Sequence, residues 1–388
     1  MFDILITDGH QRKTLSAIRS LGRKGLKTAC CEVTWMNPAG FSRYCNRFFL
    51  ARSASCREKA DPTCLLEIVK ETGCKVIMPM DDVTTSAVID NAEEFAKYCR
   101  YALPPAPSYD IARDKAKAYR HASESGLNCP KTAPAMKADD AYPDISGMKF
   151  PLIIKPRESS GSRGMRVAED ETGFRAIYDE VSSLHPYPVV QEYIAISSKT
   201  DVCLMYNKKG ELKASFIQKE LRNYPHPLGP STVQESISDA GALEMALRFM
   251  EGLEWTGPAE IEFVTDAFTG GYVFMEINPR FWASLELAVR CGVDFPYMYH
   301  QIASGGDCPA VDGYITGVKT QWFFPGDILA FFERRKRKND PLPYFFTRKY
   351  GIINDTCDPG DPMPSFGLFL SAVYHMISKK RRASILRR

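Results

Sequence analysis

The sequence predicts an α/β protein built as an N-terminal α/β domain, a two-lobed α+β core and a basic C-terminal tail. Three observations carry this. Short apolar strands alternate with amphipathic helices from the first residues. Pro104-Pro105-Ala106-Pro107 interrupts the pattern and marks a boundary. Residues 257–284 read as a hairpin with acids at alternate positions, followed by a helix. A chain of 388 residues is long enough for two or three packed domains.

Composition narrows the classes. Hydrophobic content of 44% and charged content of 25% are those of a soluble globular protein. A net charge of +3 is too small to imply nucleic-acid binding by itself. The 12 cysteines are scattered, with no C-x-x-C pair to suggest zinc or redox chemistry, and are expected to be reduced, mostly buried thiols of a cytoplasmic protein. The N-terminus is expected to run straight into a strand, without a signal peptide. No apolar run approaches the roughly 20 residues of a membrane span.

Residues 2–7 form the first strand and end at Asp8-Gly9. Residues 13–24 fit a helix with Leu15, Ile18 and Leu21 on one side, and residues 26–31 a second strand. This opening raises a dinucleotide fold, but the turn D-G-H-Q-R-K lacks G-x-G-x-x-G, which argues against a nicotinamide enzyme. Residues 62–72 read as a helix and 74–78 as a buried strand running into P-M-D-D. Asp81 and Asp82 therefore stand at a strand's carboxyl end, where open α/β sheets bind ligands. The alternative for either acid is the N-cap of a helix over 83–89.

Past the proline boundary, residues 108–126 are helical in pattern and lead into G-L-N-C-P-K-T. Residues 150–156, FPLIIKP, form a strand with a lone Lys155 in an apolar run; lysine is rarely buried unpaired, so Lys155 calls for an anion. The next residues, R-E-S-S-G-S-R-G-M, offer unhindered backbone N–H groups that can close over phosphate oxygens. An ordinary flexible hairpin is the alternative, and no G-K-[ST] follows to make a Walker A motif. Residues 171–181 read as a helix and 189–194 as an apolar strand with a polar end. Residues 202–206 and 212–219 form a hairpin around N-K-K-G, with Lys219 and Arg222 at its end. Residues 240–252 are a helix with Leu243, Ala246, Leu247 and Met250 facing inward.

In the hairpin, Ala259, Ile261 and Phe263 share one face, and Glu260 and Glu262 the other. Residues 272–277 return and lead into E-I-N-P-R. Glu276 and Asn278 share strand parity, so antiparallel pairing brings Glu262 to their face. Two carboxylates and an amide oxygen form the hard, all-oxygen set that Mg²⁺ takes together with nucleotide phosphates. Arg280 beside it could hold an anion. Phe281 opens a helix running to Cys291 whose N-terminus is a further anion site; Phe281 and Trp282 are read as packing or pocket-shaping residues.

The run M-E-I-N-P-R is very similar to the metal-binding strand of ATP-grasp enzymes, the superfamily of biotin carboxylase, D-alanine–D-alanine ligase and the halves of the carbamoyl phosphate synthase large chain. The resemblance continues in order along the chain. Residues 1–104 look like a pre-ATP-grasp domain, residues 105–310 like an ATP-grasp domain with its glycine-loop lobe at about 146–195, and residues 311–388 are a C-terminal extension outside it. The resemblance implies that Glu262, Glu276 and Asn278 hold the metal, and that Arg280 and Lys155 are catalytic. Lys115 and Lys155 would contact phosphate under a loop of Ser159, Ser160, Gly161 and Gly164. Gln191, Glu192 and Ile194 would recognise adenine. Asp201 would sit near the ribose, although the usual glycine before it is replaced by A-I-S-S-K. Arg222, in preference to Lys219, would place a cation on the triphosphate, a solvated strand-end charge being the alternative for either. The implied ligands are ATP and Mg²⁺, with Mn²⁺ as the alternative metal.

The activity the resemblance implies is carboxylate–amine ligation through an acyl phosphate, with a small-molecule acid and amine as partners, no nucleic acid, and a homodimer compatible with the reading. Two other functions are to be separated from it: a nucleotide-binding regulatory protein without turnover, and a kinase that releases the acyl phosphate. The tail carries E-R-R-K-R-K at 333–338 and an apolar segment running from 366 into Lys379-Lys380-Arg381-Arg382. Phe366, Phe369, Val373, Tyr374 and Ile377 fall on one helical face. A membrane-surface or partner-binding helix is one reading; a helix docked on the body with a frayed basic end is preferred.

Overall fold

The computed structural model describes residues 1–51, 62–134, 136, 142–159, 161–333 and 342–377. The N-terminal domain is a parallel sheet with helices. Its elements are β1 (Ile4–Ile6), α1 (Arg12–Arg23), β2 (Thr28–Glu32), β3 (Cys45–Leu50), α2 (Pro62–Thr72), β4 (Val76–Met78), α3 (Asp82–Asp90) and α4 (Ala92–Ala96). The strand order is β3-β2-β1-β4. β1 and β4 are uniformly apolar because both sheet faces are covered. The order reverses direction at β1, so its carboxyl end and that of β4 flank a crevice of the kind that binds ligands in open α/β sheets. Asp81 caps α3 there, in a capping box with Thr84.

The helix expected over 108–126 is two helices, α5 (Ala106–Arg113) and α6 (Lys115–Glu124). Asp114 adopts an extended conformation between them, and its carboxylate accepts from the backbone N–H groups of Ala116 and Lys117. Arg157 pairs with the same carboxylate. The break makes Lys115 the first residue of α6. The small lobe follows: β5 (Leu152–Lys155), β6 (Arg166–Ala168), α7 (Glu171–Leu184) and β7 (Val189–Glu192), with antiparallel order β6-β5-β7. Phe174, Tyr178 and Val181 of α7 pack on Leu152, Ile154 and Val190. Strand alternation then sends Lys155 to the opposite face.

The large sheet contains β8 (Ile196–Tyr206), β9 (Leu212–Asn223), β10 (Ser231–Ile237), β11 (Gly257–Asp266) and β12 (Tyr272–Asn278), with α8 (Ala240–Met250) between β10 and β11. Ala242, Ala246 and Phe249 of α8 cover Val202, Leu204, Ile261 and Phe263. The opposite parity, with Cys203 and Met205, packs on the N-terminal domain. Glu260, Glu262 and Asp201 lie on that second face and meet the cleft between the two domains.

Then come α9 (Leu285–Arg290), α10 (Phe295–Gly305), β13 (Lys319–Gln321), α11 (Ile328–Glu333), β14 (Ile352–Asn354) and α12 (Met363–Ile377). β13 and β14 extend the large sheet, giving the order β12-β11-β8-β9-β10-β13-β14. α12 docks on residues 39–41 through only part of the expected aromatic stripe: Phe366 meets the Phe41 ring edge-on at 5.9 Å. Pro364, Gly367 and Ser371 are buried, while Phe366 is 50% and Phe369 56% exposed. The reason is close backbone approach: a Cβ on Gly367 would lie 2.7 Å from the Asn37 carbonyl oxygen. The basic runs at 334–338 and 379–388 lie outside the described residues. Among the described residues all cysteines are free, and no helix is long and apolar enough to cross a membrane.

Candidate active site

The site is set by register. Glu262 of β11 stands opposite Glu276 of β12, and Glu260 opposite Asn278. On its other side Glu262 stands opposite Asp201 of β8, which in turn faces Gln218 of β9. Asn278 donates to Glu262 at 2.8 Å and to Glu260 at 3.0 Å, and its oxygen accepts from Arg280 at 2.8 Å. Cations ring this acidic face. Lys115 lies 3.2 Å from Glu276 and donates to the Ser159 carbonyl. Lys199 lies 3.3 Å from Glu220. Lys155 is buried and donates to the Tyr119 hydroxyl at 3.2 Å.

Crowding shifts the protonation of these groups. Burial, then the charge of Glu276, pushes Glu262 well above the usual carboxylate range, and burial with Glu262 does the same to Glu260. Asp201 is raised by burial and by Glu220. At Glu276 burial acts upward but is outweighed by Lys115, Lys155 and Arg280, which hold it below its usual value. Burial lowers Lys155 to about 8, against the pull of Glu276.

The N-terminal domain closes the far wall. Arg280 donates to Asp82 at 2.7 Å, across the interface between the two domains. Gln11 donates to Asp81 at 2.6 Å, and His10 pairs with Glu32. The cleft has a volume of about 350 Å³. A hollow of about 790 Å³ lies behind α6, between Arg120 and Pro134, but contains none of the acidic set.

Residues 112–284 match the family model described as an ATP-grasp domain. These residues are an ATP-grasp domain. The carbamoyl phosphate synthase large chain of Halomonas eurihalina is 26% identical over 262 residues, 64% of this chain and 24% of that one. Biotin carboxylase 1 of Bacillus subtilis (strain 168) is 23% identical over 255 residues, 60% of this chain and 54% of that one. The chain thus spans about a quarter and about half the length of these two relatives. The crystal structure of a biotin carboxylase complex from Campylobacter jejuni superposes with a TM-score of 0.67 at 16% identity, covering 82% of this chain and 74% of that one.

Within the ATP-grasp domain the structure brings together Glu262, Glu276, Asn278, Arg280, Lys115, Lys155, Asp201, Ser159 and Gly161 along one cleft. Gly161 and Gly164 have positive φ, and a Cβ on Gly164 would lie 2.9 Å from the Pro156 ring. Ser160 lies outside the described residues. Asp201 sits beside Glu262 in the acidic face, while Gln191, Glu192 and Ile194 are not among the cleft-lining residues. Gln191 donates to Thr132 at 2.8 Å, and Glu192 accepts from the Lys149 backbone at 2.8 Å. Ile196, Met165, Val264 and Met275 supply the cleft's apolar end instead.

Arg222 is placed elsewhere. It is fully buried against Asp327, donates to the Leu342 carbonyl at 2.6 Å and lies 3.7 Å from the Tyr344 ring centroid. The cause is a bulge: successive residues Val233 and Gln234 of β10 face Arg222 and Glu220, leaving Leu221 as an extra residue. The side chain of Arg222 thereby turns off the face that carries Gln218 and Glu220. Lys199 is the cation that this part of the cleft receives. It lies two residues before Asp201 and shares its strand parity, a signal available in the sequence. Glu220 is legible by the same parity from Gln218, as Glu260 is from Glu262.

The residues present fit a divalent cation. One Asp201 oxygen is buried without a hydrogen-bond partner, and the clustered carboxylates raise one another's pKa. Among the described residues no three His, Cys, Asp or Glu side chains are grouped for a metal; the set here is two carboxylates and an amide.

Proposed function

We propose that this protein is an ATP-dependent carboxylate–amine ligase acting through an acyl phosphate. The observation that carries the reading is the convergence of opposed Glu262 and Glu276, with Asn278 and the cations Lys115, Lys155 and Arg280, in one cleft between two domains. Glu262, Glu276 and Asn278 would hold Mg²⁺, which neutralises nucleotide phosphate charge when bound. Lys115 and Lys155 place positive charge where phosphoryl transfer needs it, a reaction governed by positioning and electrostatics. The acid's carboxylate oxygen attacks the γ-phosphorus and ADP leaves. The amine nitrogen then bonds to the acyl carbon while the bond from that carbon to the phosphate oxygen breaks; phosphate leaves with the electron pair and takes the proton that the nitrogen loses. Arg280 holds the carboxylate and steadies the oxyanion. The loop of Ser159, Gly161 and Gly164 excludes the water that would hydrolyse the intermediate. No side chain acts as a covalent nucleophile.

Binding and turnover by Glu276→Ala test the assignment. ADP release should fall by at least about a hundredfold, the scale of losing one electrostatic stabiliser at a reacting centre. Unchanged release would remove Glu276 from the metal set. Substrate-stimulated ADP release would separate the ligase from a binding protein, and a phosphorylated product without an amide would identify a kinase.

A further inference from the structure

Lys13 is the second residue of α1 and is 3% exposed. Its ammonium donates to the Phe281 carbonyl oxygen at 3.0 Å. Arg280 donates to the same oxygen, also at 3.0 Å. Two buried cations thus converge on one carbonyl. Arg280 is neutralised by Asp82, but among the described residues no carboxylate lies within ion-pair distance of Lys13. An ammonium has three donors, and the hydrogen bond to Phe281 uses one. Burial and the charge of Arg280 lower Lys13 to about 8, with Asp81, Asp82 and Asp8 acting against them. The start of α1 is open in the same way: Gln11 occupies the N-cap without a side-chain cap, its amide being engaged by Asp81. The N-terminal dipole of this 12-residue helix therefore faces the cleft with no acidic side chain in its first turn. His10, Gln11 and Lys13 line the same cleft as Glu262, Glu276 and Arg280.

We propose that Lys13 and the N-terminus of α1 form an oxyanion pocket that anchors the acid substrate beside Arg280. This rests on the ligase reading and extends it: the acid is bound as an anion by the N-terminal domain, through a lysine outside the ATP-grasp domain. The shared chemistry is that of a carboxylate or a phosphoryl group.

The test is calorimetric titration of the full chain with acetate and, separately, with inorganic phosphate, in wild type, Lys13→Met and Gln11→Glu. Met keeps the side-chain length without the charge, and the Gln11 variant offers the helix N-terminus a competing carboxylate. The wild type is expected to bind at least one probe in the millimolar range, and each variant to bind it about tenfold more weakly, the scale of one charge-assisted hydrogen bond. Mg-ATP affinity should hold in both. Preference for acetate assigns a carboxylate, preference for phosphate a phosphoryl group. Binding of neither probe by the wild type, equal binding in wild type and Lys13→Met, or loss of Mg-ATP binding in both variants overturns the proposal. Probe binding without any ATP turnover on acids and amines would leave this pocket standing and remove the ligase reading; turnover in Lys13→Met with an unchanged KM for the acid would do the reverse.

Discussion

Replacing Arg222 with Met separates a structural cation from a nucleotide-binding one. Both Arg222 and Asp327 side chains are 0% exposed, so the substitution leaves Asp327 charged and buried. Removing one partner of such a pair costs about 3–5 kcal/mol. The stack on Tyr344 at 3.7 Å adds a contribution that does not sum independently. Methionine refills much of the volume, so a net loss of about 3 kcal/mol is expected, a large share of the 5–15 kcal/mol that holds a typical domain. Urea unfolding should show this loss as a lower midpoint with a similar slope. Pairing Arg222→Met with Asp327→Leu should recover most of it, because the stranded charge is gone. Mg-ATP affinity measured below the unfolding range should match wild type. A stable Arg222→Met protein that binds Mg-ATP at least tenfold more weakly would refute the reasoning and return Arg222 to the phosphates.

Three further outcomes follow from the same geometry. Lys199→Met should weaken Mg-ATP binding about tenfold, the scale of a charged hydrogen bond, whereas Lys219→Met, on the other strand parity, should leave it unchanged in the same titration. Gly367→Val should dislodge α12 from residues 39–41, because the added carbons meet backbone; faster limited proteolysis after residue 361, with Mg-ATP binding retained, checks this. The His10–Glu32 pair should stabilise the fold over a bounded pH range. Burial alone would lower His10, but the charge and hydrogen bond of Glu32 raise its pKa above 6.5; burial raises Glu32, but His10 holds it below 4.5. The histidine part is complete below pH 6.5 and lost as pH rises through the raised value. The glutamate part is complete above pH 4.5 and lost as pH falls through the lowered value. The stability difference between wild type and His10→Gln should therefore peak between these limits, and a difference that is flat with pH would exclude the pairing. His10 is 43% exposed, so the effect should be small and reduced by salt.

What the sequence disclosed depended on whether local pattern decided the outcome. Strand parity puts Glu276 and Asn278 on one face, but a one-residue shift sets Glu262 against Glu276: Phe263 faces Phe274 and Glu262 faces Glu276, leaving Met275 as an extra residue. At Arg222 a bulge at Leu221 reverses parity and takes the side chain off the expected face, and nothing in L-R-N marks it. The break at Asp114 was hidden because Asp-Lys reads equally well inside a helix; the deciding partner, Arg157, is 43 residues away. Docking of α12 by Gly367 together with Phe366, while Phe369 stays exposed, depends on Asn37 and Phe41, which periodicity cannot supply. By local sequence Lys13 is an ordinary first-turn lysine; its exceptional environment comes from Arg280 and Phe281, over 260 residues further on.

The measurement that tests the central claim most directly is product mass from Mg-ATP with paired acids and amines, read alongside ADP and phosphate release. The account predicts release that requires both partners and a product lighter by one water than their sum. A product that retains phosphate and lacks the amide, formed with the acid alone, would contradict it.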